Sequence, residues 1–282
     1  MIIQLVPSRA NAGPVNVAKD LVHGLNENGY KSELFSMRDH ESGLCSQILK
    51  LALLIKNNKS IVIHSHGFIP DLSCFIFRLF LNFKWLVTIH NDPYEDLKFI
   101  YPKSYFIICK IWLSIVVRAN HVIYLTEYIA KKHKNKNGIV ITNCRNITAR
   151  NFKSNISRKI RYGFCGALIE RKNIFNLVTI FSQIPERNLT IAGSGELDEK
   201  IRNISGENIK YLGQLSNLSG FWDDIDVLIL PSLAEGVPLV AIEALSQNKP
   251  LILMDLENYE GVFTESESCL LYTSDAADDT CC

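Results

Sequence analysis

Two carboxylates, Glu235 and Glu243, lie in the stretch of this chain best suited to chemistry. They lie in the run Asp-Val-Leu-Ile-Leu-Pro-Ser-Leu-Ala-Glu-Gly-Val-Pro-Leu-Val-Ala-Ile-Glu, residues 226–243. Val227 to Leu230 is a β-branched and leucine run that reads as a strand buried on both faces, ended by Pro231 and Ser232. Gly236 and Pro238 mark the start of a helix, where proline is tolerated because the early backbone N–H groups lack partners anyway. That helix carries Leu239, Val240, Ile242, Ala244 and Leu245 and fades near Asn248-Lys249-Pro250. Glu235 therefore sits at the carboxyl end of a strand, just before a helix. Glu243 sits inside the helix, where burial is costly unless the carboxylate is hydrogen-bonded or paired. Its apolar neighbours leave a narrow polar face, which favours a paired Glu243 over one turned to water. A strand, an acid-bearing loop and a helix N-terminus can together take an anion on free N–H groups. A carboxylate beside that anion can bind sugar hydroxyls.

Other side chains of chemical interest also fall at the ends of expected strands. Ile61-Val-Ile-His-Ser-His-Gly67 places two histidines there, with no third ligand at a metal-site spacing, so they read as polar lining. Thr88-Ile-His-Asn-Asp-Pro93 places His90 where open α/β sheets bind ligands; the competing reading is a loop histidine capping backbone groups. Arg171 and Lys172 stand at a helix start, where cations are electrostatically unfavourable, which favours a ligand-related reason for them. Asp223-Asp-Ile-Asp226 contains a D-x-D look-alike but leads directly into a buried strand and reads as structural. Neither half contains G-x-G-x-x-G, which argues against a nicotinamide enzyme.

The elements that must position these residues alternate strand and helix from the start. Ile2 to Val6 is a strand, Pro7 to Pro14 a loop containing Gly13, and Val15 to Leu25 a helix, which is how a doubly wound α/β domain opens. Strands are expected at Lys31 to Phe35, Ser60 to His64, Trp85 to His90, His121 to Leu125 and Gly138 to Thr142. Gln47 to Ile55 and Pro70 to Phe83 read as helices, and Thr126 as a helix N-cap. Lys131 to Lys136 is a solvated basic face. Lys98 to Val117 is aromatic and apolar with Lys98, Lys103, Lys110 and Arg118 nearby; a lipid-touching face and core packing fit it equally. After a polar, aperiodic stretch, a second α/β unit begins at Ile160 to Cys165 and continues with strands at Asn188 to Ala192, Ile209 to Gly213 and Pro250 to Met254. The domains so delimited are 1–145, a linker at 146–159, and 160–268.

Bulk composition excludes little else. The chain has 282 residues, 47% hydrophobic and 21% charged, with a net charge of +1, so no bulk attraction to nucleic acid follows. No secretory signal is apparent, and the longest apolar run, Tyr105 to Val117, is broken by Lys110 and too short to span a bilayer. Cys45, Cys74, Cys109, Cys144 and Cys165 are scattered and read as reduced thiols. Residues 269–282 stand apart: Cys269-Leu-Leu-Tyr-Thr-Ser-Asp-Ala-Ala-Asp-Asp279 resembles a translated sequencing adapter, so the natural sequence is expected to stop near Ser268.

Glu235 to Glu243 has the form E-x7-E, and with Asp-Val-Leu-Ile-Leu-Pro-Ser before it the segment resembles the signature of retaining GT-B glycosyltransferases of family 4. Arg9-Ala-Asn-Ala-Gly-Pro14 resembles the family's glycine-rich first loop, with only Gly13 retained. Phe164 to Ile174 resembles its Gly-Arg-Leu-x-x-x-Lys-Gly segment: Gly166 and Lys172 fit, Ala167 replaces the usual arginine, and Arg171 can supply the missing charge. Gly193-Ser194-Gly-Glu196 resembles its Gly-x-Gly loop near the nucleotide.

The resemblance implies two Rossmann-like domains facing a cleft, the acceptor on the first and the nucleotide-sugar on the second, which the adapter-like tail leaves incomplete. It implies sugar transfer with retention of configuration. Lys172 and Arg171, with N–H groups near Leu239 and Val240, would hold the leaving diphosphate and stabilise its charge. Glu243 would hold ribose hydroxyls, Glu235 the sugar ring, and His90 the sugar or the acceptor. Gly13, Gly166, Gly193, Ser194, Gly236 and Val237 complete the expected binding set. No essential metal or other cofactor is expected. The partners implied are a UDP- or GDP-linked sugar and a glycan or polyprenyl-linked acceptor, with peripheral membrane contact and no nucleic acid. The family and the many Ile, Lys and Asn residues suggest a bacterial cytoplasmic enzyme, working at the inner face of the plasma membrane in surface-polysaccharide synthesis. The rivals are a nucleotide-sugar epimerase of the same layout and a truncated, nonfunctional transferase fragment.

Overall fold

A computed structural model describes residues 1–10, 12–38, 43–58, 60–145, 159–204, 206–264, 266 and 269–272. The chain divides into two compact units, Met1–Asn146 and Ile147–Cys282. The expected linker, 146–159, lies almost wholly outside the described residues.

Unit 1 runs β1 (Ile2–Ser8), α1 (Gly13–Glu27), β2 (Ser32–Arg38), α2 (Leu44–Asn57), β3 (Val62–His66), α3 (Phe68–Phe77), β4 (Lys84–Ile89), α4 (Pro93–Ile100), α5 (Tyr105–Val116), β5 (His121–Tyr124), α6 (Glu127–His133) and β6 (Gly138–Val140). Its strands form one parallel sheet in the order β2-β1-β3-β4-β5-β6. Strands covered on both faces must be apolar throughout, and Ile3, Leu5, Ile63, Trp85, Val87, Ile89 and Val122 are all buried. Local capping follows the expected chemistry. The Asp92 carboxylate accepts from Tyr94 N–H at 2.9 Å with Pro93 opening α4, and the Thr126 hydroxyl accepts from Ile129 N–H at 3.3 Å to open α6.

Unit 2 runs β7 (Arg161–Cys165), α7 (Ile174–Ser182), β8 (Asn188–Ala192), α8 (Asp198–Ile204), β9 (Ile209–Tyr211), α9 (Ser219–Asp224), β10 (Val227–Leu230), α10 (Leu239–Ser246), β11 (Leu251–Met254) and β12 (Cys269–Tyr272). Its parallel sheet has the order β12-β11-β10-β7-β8-β9, the doubly wound dinucleotide-type order, with its reversal between β7 and β10. In unit 1 the reversal lies between β1 and β3. Ligands of open α/β sheets bind beyond the carboxyl ends of the strands at such reversals, and the chemistry below sits at both.

Several expectations shift. β3 ends two residues later than the sequence suggests, so His64 and His66 both belong to the strand. The apolar run 98–117 spans the end of α4 and all of α5, and α5 packs one face into the core and exposes another. Its Cys109, Trp112, Ile115 and Val116 are buried, while Phe106, Ile107 and Ile111 are exposed beside Lys110. β12, which pairs with β11 along Leu251–Met254, extends the sheet with residues that the sequence reading had set aside as a tail. Gly13 marks no tight turn: it is the exposed first residue of α1, with open space where a Cβ would lie.

Two glycines in unit 2 are required by close packing. A Cβ on Gly193, whose φ is +147°, would lie 1.8 Å from the Gly166 carbonyl oxygen, and one on Gly195 would lie 2.4 Å from that of Leu168. The loops after β7 and β8 touch backbone to backbone: Gly166 N–H donates to Ala192 O at 3.0 Å and Leu168 N–H to Ser194 O at 3.0 Å.

Candidate active site

In unit 2 the chain leaves β7 through Gly166 and passes a short 3₁₀ turn, Glu170–Lys172, before α7. Asn173, in the left-handed region at φ 55°, reverses the chain there. Arg171 and Lys172 thereby leave the axis of α7 and turn toward the loop after β10. Leu233 N–H donates to Arg171 O at 2.9 Å, tying the two loops together.

Glu235 is the centre of this loop pair. Its side chain is 8% exposed, Lys172 Nζ pairs with its Oε1, and Arg171 Nη1 lies 3.4 Å from its Oε2. Ser232 Oγ donates to Oε1 at 2.9 Å, Arg171 Nη1 donates to Ala234 O at 2.6 Å, and Asn258 Nδ2 donates to Glu235 O at 2.7 Å. Burial alone would raise the pKa of this carboxyl, but the charges of Lys172 and Arg171 outweigh it and hold the group below the usual carboxylate range. Lys172 and Arg171 are the cations of this end and Glu235 and Glu243 its carboxylates, so the four charges balance. Leu239 and Val240 stand in the first turn of α10, where N–H groups have no intrahelical acceptor. Glu243, one turn on and half-buried, raises the Cys165 thiol together with burial, the larger cause, to about 12 against the opposing charge of Lys172. Glu243 thus faces the end of β7, and Cys165 is no thiolate nucleophile at neutral pH.

In unit 1, β1, β3 and β4 bring four polar side chains into one buried row. Gln4 pairs in register with His64, and His66 with Thr88. His64 Nε2 lies 2.7 Å from Thr88 Oγ1, His66 Nε2 lies 2.8 Å from Gln4 Oε1, and His66 Nδ1 lies 2.8 Å from His90 Nε2. Burial lowers the pKa of all three rings. It holds His64 at about 4 and His66 well below the ordinary range; with help from the His64 charge it lowers His90 to about 3. The row is a neutral hydrogen-bonded chain at neutral pH.

Lys172, Arg171, Glu235, Gly236, Val237, Leu239, Val240 and Glu243 thus share the β7–β10 end of unit 2, with Gly166, Gly193 and Ser194 on the adjoining loops. Ser194 Oγ is used by Gln214 Oε1 at 2.8 Å. His90 lies in unit 1, with the histidine row. Gly13 opens α1 in unit 1, after β1. Asp226 receives Arg161 in a two-pronged pair at 2.9 and 3.1 Å, and Asp224 receives Lys210 at 2.7 Å, so both carboxylates of the D-x-D look-alike have structural partners. Among the described residues, no group of three His, Cys, Asp or Glu side chains could hold a metal ion. Ser232, Asn258 and Gln4 were not expected. Gln4 alone carried a signal, as a polar residue inside an apolar strand.

Residues 159–280 match the family model described as glycosyl transferases group 1. The O-antigen biosynthesis glycosyltransferase WclY of Escherichia coli is 24% identical over 305 residues, covering 96% of this chain and 84% of that protein. Among solved structures, HepE of Anabaena in complex with UDP and glucose superposes with a TM-score of 0.73 at 13% identity, over 96% of this chain and 85% of that one. TarM of S. aureus superposes with a TM-score of 0.68 at 20% identity over 84% of this chain, which spans 49% of TarM. Two doubly wound parallel sheets give the chain the GT-B fold of these solved structures, and its second unit resembles the group 1 glycosyl transferases.

Proposed function

We propose that this chain is a retaining, family 4 type glycosyltransferase that moves a sugar from a UDP- or GDP-linked donor to a glycan or polyprenyl-linked acceptor in surface-polysaccharide synthesis. The observation that carries the reading is the buried Lys172–Glu235–Arg171 cluster at the β7–β10 reversal of unit 2. Its two cations and the first turn of α10 suit a diphosphate. In this reading Lys172 and Arg171 neutralise the leaving diphosphate as the sugar bond breaks, Glu243 holds the ribose hydroxyls, and Glu235 orients the sugar ring. Glu235 is not assigned as a nucleophile. His90 contacts the sugar or the acceptor. The cations take the part a metal would otherwise play, so no essential metal is proposed. The relative named for O-antigen biosynthesis supports the pathway class, and the UDP complex of HepE supports the donor class.

An acceptor carried on a lipid suits the exposed apolar face of α5, where Phe106, Ile107 and Ile111 lie beside Lys110. Among the described residues no helix is long and apolar enough to cross a membrane. The proposed place of work is therefore peripheral contact with the inner face of the plasma membrane.

Incubation with nucleotide-sugars and a bacterial polyprenyl-diphosphate-linked glycan extract tests the reading. Acceptor-dependent release of nucleoside diphosphate, with product anomeric configuration matching the donor by NMR, is the expected result. Isomerised donor without acceptor would make the chain an epimerase instead, and an inverted product would end the retaining assignment.

A further inference from the structure

The histidine row of unit 1 has a direction. Gln4 and His66 are 1% and 0% exposed, so the hydrogen bond between them is shielded from water. Gln4 Oε1 is a carbonyl oxygen and can only accept, so the proton of that 2.8 Å contact is on His66 Nε2. A neutral His66 then has a bare Nδ1, and His90 Nε2, 2.8 Å away, must donate to it. The proton of neutral His90 is thereby committed to Nε2, and its Nδ1 keeps a lone pair. His64 does not compete, since its Nε2 is held by Thr88 Oγ1. The titratable groups beside His90 are His64 and His66, and burial keeps all three uncharged.

We propose that Gln4 and His66 are positioning residues that hold His90 as its neutral Nε2–H tautomer, presenting Nδ1 as a hydrogen-bond acceptor to a substrate hydroxyl. The proposal rests on the reading that His90 meets substrate. A ring so weakly basic orients a hydroxyl without taking its proton at neutral pH, so His90 acts by placement and not as a general base.

Long-range ¹H–¹⁵N correlation on the full chain labelled with ¹⁵N-histidine reads the tautomer directly. The expected result at pH 7.5 is a single Nε2–H form of His90 in the wild type and a mixture of tautomers in His66→Phe, which removes the acceptor. Gln4→Glu keeps an acceptor but favours a charged His66. It should show the Nε2–H form of His90 at high pH and the Nδ1–H form below the new His66 pKa, a reversal that no loss of packing imitates. Kinetically, His66→Phe should raise the KM of the substrate that His90 meets, donor or acceptor, about tenfold, the loss of one hydrogen bond, with the other KM unchanged. A wild-type His90 in the Nδ1–H or imidazolium form, or a folded His66→Phe with an unaltered tautomer, would overturn the proposal. The expected tautomers with neither KM moved would overturn the substrate contact alone.

Discussion

Both units place polar side chains at the reversal of a parallel sheet, yet they do so by opposite electrostatic means. Unit 1 buries histidines and removes their charge: the row from Gln4 to His90 is neutral, and each contact within it depends on which nitrogen carries a proton. Unit 2 buries a carboxylate and keeps its charge, because Lys172 and Arg171 together outweigh the cost of removing Glu235 from water. A neutral chain suits recognition of hydroxyls, which need direction more than charge. An ionic cluster with two cations beside a helix N-terminus suits a diphosphate, which needs charge more than direction. The backbone differs in the same sense. The loops of unit 2 leave no room for a side chain at Gly193, which meets the Gly166 carbonyl, whereas Gly67 in unit 1, at φ +100°, has open space around it.

The backbone contrast predicts the largest effect. Gly193→Ala must push the loops after β7 and β8 apart and should cost more than about 3 kcal/mol. Gly67→Ala bears only the backbone strain of about 1–2 kcal/mol. Equal losses in denaturant titrations of the two variants would remove the contrast.

Next in size, Glu235→Ala leaves Lys172 and Arg171 without their buried partner and should cost about 3 kcal/mol in unfolding free energy. Sulfate or a nucleoside diphosphate should restore more stability to this variant than to the wild type, since either anion can take the vacated charge position. A loss below about 0.5 kcal/mol would mean that the cluster is no more than a surface pair.

A smaller effect separates the units by pH. His64 and His90 have folded values of about 4 and about 3, below the unfolded 6.5, so the stability they allow is complete above pH 6.5 and is lost as pH falls through their folded values. Asp71, buried beneath donors from Ser65 at 2.6 Å and Trp112 at 2.7 Å, is raised by burial to about 7. Its contribution runs the other way, full below its unfolded value of 3.8 and lost as pH rises through about 7. Glu235 is depressed, so its contribution is present above its ordinary 4.5 and is lost only below that. Melting followed through Trp85 and Trp112 for unit 1 and Trp222 for unit 2 should therefore show unit 1 weakening between pH 6.5 and 4 while unit 2 holds. Asp71→Asn, which removes the opposing contribution, should steepen the loss in unit 1. Coincident acid transitions would contradict the division.

What the sequence disclosed depended on the range of the interaction. The alternation of buried strands with helices, and the placement of Glu235 before and Glu243 within a helix, are local patterns and were legible. So was the oddity of Arg171-Lys172 at a helix start, which the structure resolves by turning both toward Glu235. Ser232, Asn258 and Gln4 were not, because each matters only through a partner set by the packing of distant segments. Asn258 reaches Glu235 O across 23 residues, and Gln4 reaches His66 across 62. Gly193 was read for its ligand when close backbone packing already requires it. β12 was missed because the adapter-like composition of residues 269–282 took them out of the fold.

The central claim is that the charged cluster of unit 2 is a diphosphate site. Calorimetric titration of the chain with UDP, GDP and ADP tests it most directly, with Glu243→Ala and Lys172→Met as controls. The account predicts that UDP or GDP binds at one site per chain, and that both variants lose the binding while still unfolding cooperatively. A cooperatively folded wild type that binds none of the three, or binding that neither variant disturbs, would contradict it.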